Sequence, residues 1–103
     1  MIIAIAASEN YLKSNVNLHF GRCDWYCLYD TETKKATFIE NPVRNNQEQA
    51  GCEAARFLIE TGAKLVIAGR FGAKVIDIFR SNEVQMAIPQ VNLSISKIIE
   101  SYR

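Results

Sequence analysis

The sequence predicts an α/β protein, a three-layer α/β/α sandwich around a five-stranded mixed sheet. Three observations carry this expectation. The chain has 103 residues, of which 49% are hydrophobic and 22% charged, the size and composition of one globular domain spanning residues 1–103. Two short, continuous apolar runs, Ile2–Ala6 and Leu65–Ala68, read as strands covered on both faces. In the second half strand and helix patterns alternate, whereas the first half holds a strand followed by a hairpin.

Each element follows from its residues. Ile2–Ala6 is rich in Ile and suits the centre of a sheet. Ala7–Arg22 is a long loop punctuated by Ser8, Asn10, Ser14, Asn15 and Gly21; loops of this length in compact domains are often functional. Trp25–Asp30 is an aromatic-rich strand, Asp30–Lys35 a turn, and Ala36–Glu40 the return strand of a hairpin. Lys34 stands where glycine would ease a left-handed turn, so a longer or strained loop is expected. Asn41-Pro42 stops that strand. Asn46-x-x-Gln49 has the form of a capping box, and the helix behind it runs to about Thr61 with Cys52, Ala55 and Ile59 on its apolar stripe. Gly62 ends this helix. Leu65–Ala68 is a buried strand, Gly69-Arg70-Phe71-Gly72 a tight turn, and Ala73–Arg80 a helix with Val75, Ile76 and Phe79 on one side. Val84–Ile88 is the fifth strand, closed by Pro89. Leu93–Tyr102 is a last helix, with Ile95, Ile98, Ile99 and Tyr102 at helical spacing.

A strand followed by a hairpin and then by right-handed parallel crossovers places strand 1 in the middle. The expected order is 3-2-1-4-5 with strand 2 antiparallel, the ribonuclease H-like arrangement. This topology gathers one set of loops at one edge, where strands 1 and 4 end and ligands bind in open α/β sheets. His19, Gly21, Arg22, Cys23, Cys52 and the Gly69–Gly72 turn all fall there. Two helix N-termini, with their free N–H groups, also point at that edge, and Arg22, Arg44 and Arg70 add full charges. The edge suits an anion although the formal net charge is only +1.

Several function classes are disfavoured. A net charge of +1 gives no general attraction to nucleic acid or to anionic membrane. The apolar start lacks a basic leader region and is shorter than a membrane span. Cys23, Cys27 and Cys52 are an odd, irregular set, no disulfide framework, so a reducing cytoplasm is expected. Strand 1 carries no carboxylate, and Asp24 and Asp30 lie about 20 Å apart along their strand, so the converging acids of a two-metal nuclease are missing. No Ser-His-Asp arrangement stands out, and the chain is expected not to be an enzyme.

What remains is binding. His19, the single histidine, is four residues before Cys23; it can ligate a metal, donate to an anion or cap a turn. His19 and Cys23 lack the paired Cys-x-x-Cys spacing of a fully protein-ligated site. A prebuilt, anionic metal cluster needs less: one side-chain ligand, some N–H donors and guanidinium groups. Gly69-x-x-Gly72 lets backbone approach a partner closely. It lacks the Lys-Ser/Thr of a P-loop and the third glycine of a dinucleotide fingerprint, and it also reads as a tight strand–helix turn.

His19-Phe20-Gly21-Arg22, after an N-terminal strand and a long loop, resembles the dinitrogenase iron–molybdenum cofactor biosynthesis family. That family includes NifX, NafY, the C-terminal domain of NifB and small stand-alone members such as the molybdenum–copper orange protein. The resemblance runs through Asp30-Thr31-Glu32-Thr33, Glu40-Asn41-Pro42, Ala54-Ala55 with Gly62, and Val66-Ile67-Ala68-Gly69 with Gly72. It implies a ribonuclease H-like fold and the binding or carrying of an iron–molybdenum or other metal–sulfur cluster, without turnover. It implies cofactor binding by His19, Phe20, Gly21, Arg22, Gly69, Arg70 and Gly72, and cluster donor and acceptor proteins as partners. Stand-alone members often carry His-Gly near the first helix, where this chain has Gln49-Ala50-Gly51-Cys52; Cys52 there either replaces a soft ligand, and so joins the cofactor-binding set, or packs. His19 and Cys23 are the expected metal ligands. The alternative is a regulatory or interaction module that binds a phosphorylated small molecule or a partner protein at the same edge, using Tyr11, Phe20 and Phe71 as exposed contacts.

Overall fold

The computed structural model describes residues 1–45, 50–89 and 93–102. In chain order its elements are β1 (Ile2–Ala7), β2 (Trp25–Asp30), β3 (Lys35–Glu40), α1 (Ala50–Glu60), β4 (Ala63–Ile67), α2 (Ala73–Ser81), β5 (Gln85–Ala87) and α3 (Ile95–Glu100). They form one sheet in the order β3-β2-β1-β4-β5. β1 runs antiparallel to β2 and parallel to β4; β2 and β3 are antiparallel, β4 and β5 parallel. This is the α/β arrangement that the sequence predicts, with β2 antiparallel.

The alternation of side chains along β1 divides the core into two layers. Ile3, Ile5 and Ala7 face one way and pack with Cys27, Tyr29, Leu65 and Ile67 against Ile95, Ile98 and Ile99 of α3. Ala4 and Ala6 face the other way, with Tyr26, against Ala54, Ala55 and Leu58 of α1 and Val75 and Phe79 of α2. Four of these residues are alanines, which lets backbone layers sit close. β1 is buried from Ile3 to Ala7, while β3, at the edge, is half open to solvent.

Boundaries differ from expectation where loops make specific bonds. The stretch after β1 folds back as a narrow excursion: Ser8 N–H donates to Asn15 O (3.3 Å) and Asn17 N–H to Ala6 O (2.7 Å). It is stitched to the start of α3 by Ile95 N–H to Ser14 O (2.8 Å) and Ser96 N–H to Leu12 O (2.9 Å). α3 is shorter than the expected Leu93–Tyr102 because Ser94 is extended and caps it, its side chain accepting from Lys97 N–H at 3.2 Å. β4 starts at Ala63 rather than Leu65, and β5 is reduced to Gln85–Ala87. Lys34 is left-handed, with φ 60. That strain is held by Asp30, whose carbonyl accepts from Lys34 N–H (2.8 Å) and whose carboxylate accepts from Glu32 N–H (2.9 Å). Gly62, with φ 91, ends α1 as expected. The capping box expected at Asn46–Gln49 lies outside the described residues. Among the described residues no helix is long and apolar enough to cross a membrane.

Candidate functional site

The site is built where β1 and β4 end. Gly69 N–H donates to Asn17 O at 3.0 Å, and Asn17 Oδ1 accepts from His19 N–H at 2.8 Å. A Cβ on residue 69 would lie 2.6 Å from Leu18 Cα, so only glycine lets the two segments run side by side. They continue as a parallel bridge between His19 and Arg70. The side chains meet as well, Arg70 Nη2 standing 3.4 Å from His19 Nδ1. With Nδ1 accepting from Arg70, Nε2 of a neutral ring carries the proton and is a donor.

A cavity of about 380 Å³ opens beside this pair, lined by His19, Phe20, Gly21, Arg22, Gly51, Arg70, Phe71 and Gly72. The start of α2 contributes to its lining through Gly72. Gly72 is the N-cap residue, extended at φ −73 and ψ 158, with no side-chain cap and no acidic residue in the first turn. The leading N–H groups and the positive end of the helix dipole therefore meet the cavity without a carboxylate among them. Gly21 and Gly51, both in the lining, meet as backbone on backbone, since a Cβ on Gly21 would lie 2.5 Å from Gly51 Cα. Beneath is an aromatic floor. Phe20 is buried, with ring centres 5.4 Å from Phe71, 5.4 Å from Phe79 and 5.7 Å from Tyr26.

The expected site residues separate into three groups. His19, Phe20, Gly21, Arg22, Arg70 and Gly72 come together around the cavity; Gly69 shapes it through its contact with Leu18. Phe20 is a floor residue and not the exposed contact expected of an interaction module. Cys52 is half-buried in α1, beside Gly51 but not lining the cavity. Cys23, expected to ligate metal with His19, lies inside the core at 1% exposure, its thiol donating to Phe20 O at 3.4 Å. Burial pushes that thiol from 9.0 up to about 11, and a protonated, enclosed thiol is a poor ligand. Cys27, in the opposite layer, is pushed up by burial to about 12. Arg44 turns away from the cavity, to Glu40 (2.9 Å), Asp24 (3.7 Å) and the Asn41 carbonyl (3.3 Å).

One lining residue, Gly51, was not among the sequence candidates, and Phe71, expected as an exposed contact of an interaction module, lines the cavity half-buried against Phe20. The signal for Gly51 was a glycine inside the first turn of a helix, a costly choice that points to close packing. Among the described residues no three His, Cys, Asp or Glu side chains converge as a metal-ion site. The cavity instead offers an imidazole, two guanidinium groups and a helix N-terminus, a set that recognises negative charge.

A sequence model described as "Dinitrogenase iron-molybdenum cofactor" matches residues 1–103. No curated protein sequence is significantly similar to the chain. Among solved structures, the apo orange protein from Desulfovibrio gigas superposes with a TM-score of 0.90 at 22% identity, covering 98% of this chain and 85% of that one. The protein PH0822 gives 0.82 at 28% identity, covering 99% and 89%. A NifB-like protein of the DUF35 family from Thermotoga, TM1290, gives 0.83 at 21% identity, covering 98% and 85%.

Proposed function

The chain belongs to the dinitrogenase iron–molybdenum cofactor family, and from that premise we propose that it binds and carries an anionic metal–sulfur cofactor, without turnover, between donor and acceptor proteins in the cytoplasm. The observation that carries the reading is that the His19–Arg70 pair lines the same cavity as the uncapped start of α2. A preassembled cluster presents sulfide and oxygen atoms bearing negative charge. Arg70 and Arg22 neutralise that charge, the leading N–H groups of α2 donate to it, and His19 donates through Nε2 or, once released by Arg70, ligates through a ring nitrogen. The residues fit such a cargo. They do not fit a bare cation, which needs several anionic or neutral donors and would meet two guanidinium groups instead. Cys23 has no part in this reading, because its thiol is enclosed.

Anaerobic titration with tetrathiomolybdate, with and without copper or iron, tests the proposal through the charge-transfer bands and the metal retained after desalting. Stoichiometric colour is expected. His19→Ala and Arg70→Ala should each weaken retention about tenfold, the size of one lost hydrogen bond to a charged group. Retention unchanged in both variants sinks the site; tight binding of phosphorylated nucleotides with no retention of thiomolybdate replaces the cargo by a phosphorylated small molecule.

A further inference from the structure

Behind the cavity wall lies a polar cluster that the carrier reading leaves unused. Asn41, just after β3, is 0% exposed. Its Nδ2 donates to the carbonyls of Gly21 and Cys23, both at 3.0 Å, and its Oδ1 accepts from Val43 N–H at 3.1 Å. Its own N–H donates to Asp24 O at 2.9 Å. Both side-chain N–H groups are thus spent on the segment that lines the cavity. Tyr26, buried on β2, donates its hydroxyl to the Phe20 carbonyl, and the Cys23 thiol reaches the same oxygen.

The carbonyls of Phe20, Gly21 and Cys23 are therefore all drawn inward by buried donors. In a planar trans peptide the N–H points opposite to the C=O. With the Phe20 carbonyl held toward the core, the N–H of Gly21 faces outward, on a residue that lines the cavity. We propose that Asn41 and Tyr26 are positioning residues for anion binding. They lock the peptide units that flank Gly21, so that its N–H joins the α2 N-terminus as a backbone donor and His19 and Arg22 are presented on either side of it. Backbone donors held this way need no reordering when the ligand arrives. A buried amide whose partners were merely structural could be satisfied anywhere; this one bonds to two of the carbonyls that decide which way the wall faces. The inference rests on the cavity being the anion site proposed above.

Tyr26→Phe is the decisive variant, because it keeps the ring in the core and removes only the hydroxyl; Asn41→Ala is the second. The readout is tetrathiomolybdate affinity together with the ¹H–¹⁵N amide signals of Gly21 and Ala73 during titration. In the wild type both amides should shift. In Tyr26→Phe, with a native-like spectrum, affinity should fall about fivefold, the size expected from one net hydrogen bond, the Gly21 response should shrink and the Ala73 response should persist. Asn41→Ala should behave alike with a larger loss; if it does not fold, Tyr26→Phe decides alone. A wild type that binds no thiomolybdate overturns the carrier reading and this inference with it. A wild type that binds, alongside a Tyr26→Phe variant with unchanged affinity and unchanged Gly21 response, overturns this inference alone.

Discussion

The two ends of the sheet solve different problems. At the end where β1 and β4 begin, the chain turns in the open. Every left-handed residue among the described ones sits there: Lys34 and Gly62 ahead of or after the hairpin and helix turns, and Glu83 before β5. Their cost is local and is met by local bonds, as Asp30 does for Lys34. At the end where β1 and β4 finish, no described residue is left-handed. The tension there is tertiary, with Gly21 pressed on Gly51, Gly69 on Leu18, and a buried amide bonded to loop carbonyls. Local strain can be placed anywhere a turn is needed. Crowding between distant segments is worth keeping only where it positions something, and it coincides with the cavity.

Substitutions can break this contrast. The largest effect is expected at Gly21→Ala, where the new Cβ meets backbone that cannot rotate away; overpacking of this kind costs about 3 kcal/mol. Gly62→Ala at the other end has nothing within 4 Å and meets only its φ of +91, so about 1–2 kcal/mol is expected. Urea unfolding of both variants measures the difference; equal losses would remove the distinction between the two ends.

A second test uses pH. Burial raises Cys23 from 9.0 to about 11 and Cys27 from 9.0 to about 12, and it raises Tyr26 as well. The folded state therefore keeps protons that the unfolded chain loses above about pH 9, so this contribution to stability is full below pH 9 and declines as pH rises toward 11 and 12. Chemical denaturation at steps from pH 8 to 11 should show the decline, and Cys23→Ala should make it shallower. A flat profile would mean that these thiols are not enclosed.

The smallest effect is expected at Gly72→Ala. This glycine belongs to the crowded end, yet its Cβ position is empty and its backbone is ordinary extended chain. A change within about 0.5 kcal/mol is expected, read as a thermal midpoint close to the wild type. A large loss would show that the opening over α2 is as tightly fitted as Gly21.

The apolar run of β1, the aromatic β2 and the helical spacing of Ile95, Ile98 and Ile99 determined the element order, and the order together with the handedness of crossovers determined the sheet. The same reasoning located the edge where His19, Arg22, Arg70 and Gly72 meet, because topology alone decides which loops share an end of a sheet. It could not separate Arg22 and Arg70 from Arg44, nor Cys52 from Cys23, since a side chain's direction depends on which neighbours claim it. Glu40 and Asp24 hold Arg44 aside, and the core encloses Cys23. Asn41 read only as the end of a strand, and its amide acquires a role when the hairpin brings it beneath residues 21 and 23. Periodicity and turn chemistry are local and can be read from neighbours along the chain; the contact of Gly21 with Gly51, the His19–Arg70 pair and the bonds of Asn41 to the Gly21 and Cys23 carbonyls join residues 18 to 51 positions apart, and only the folded packing decides them.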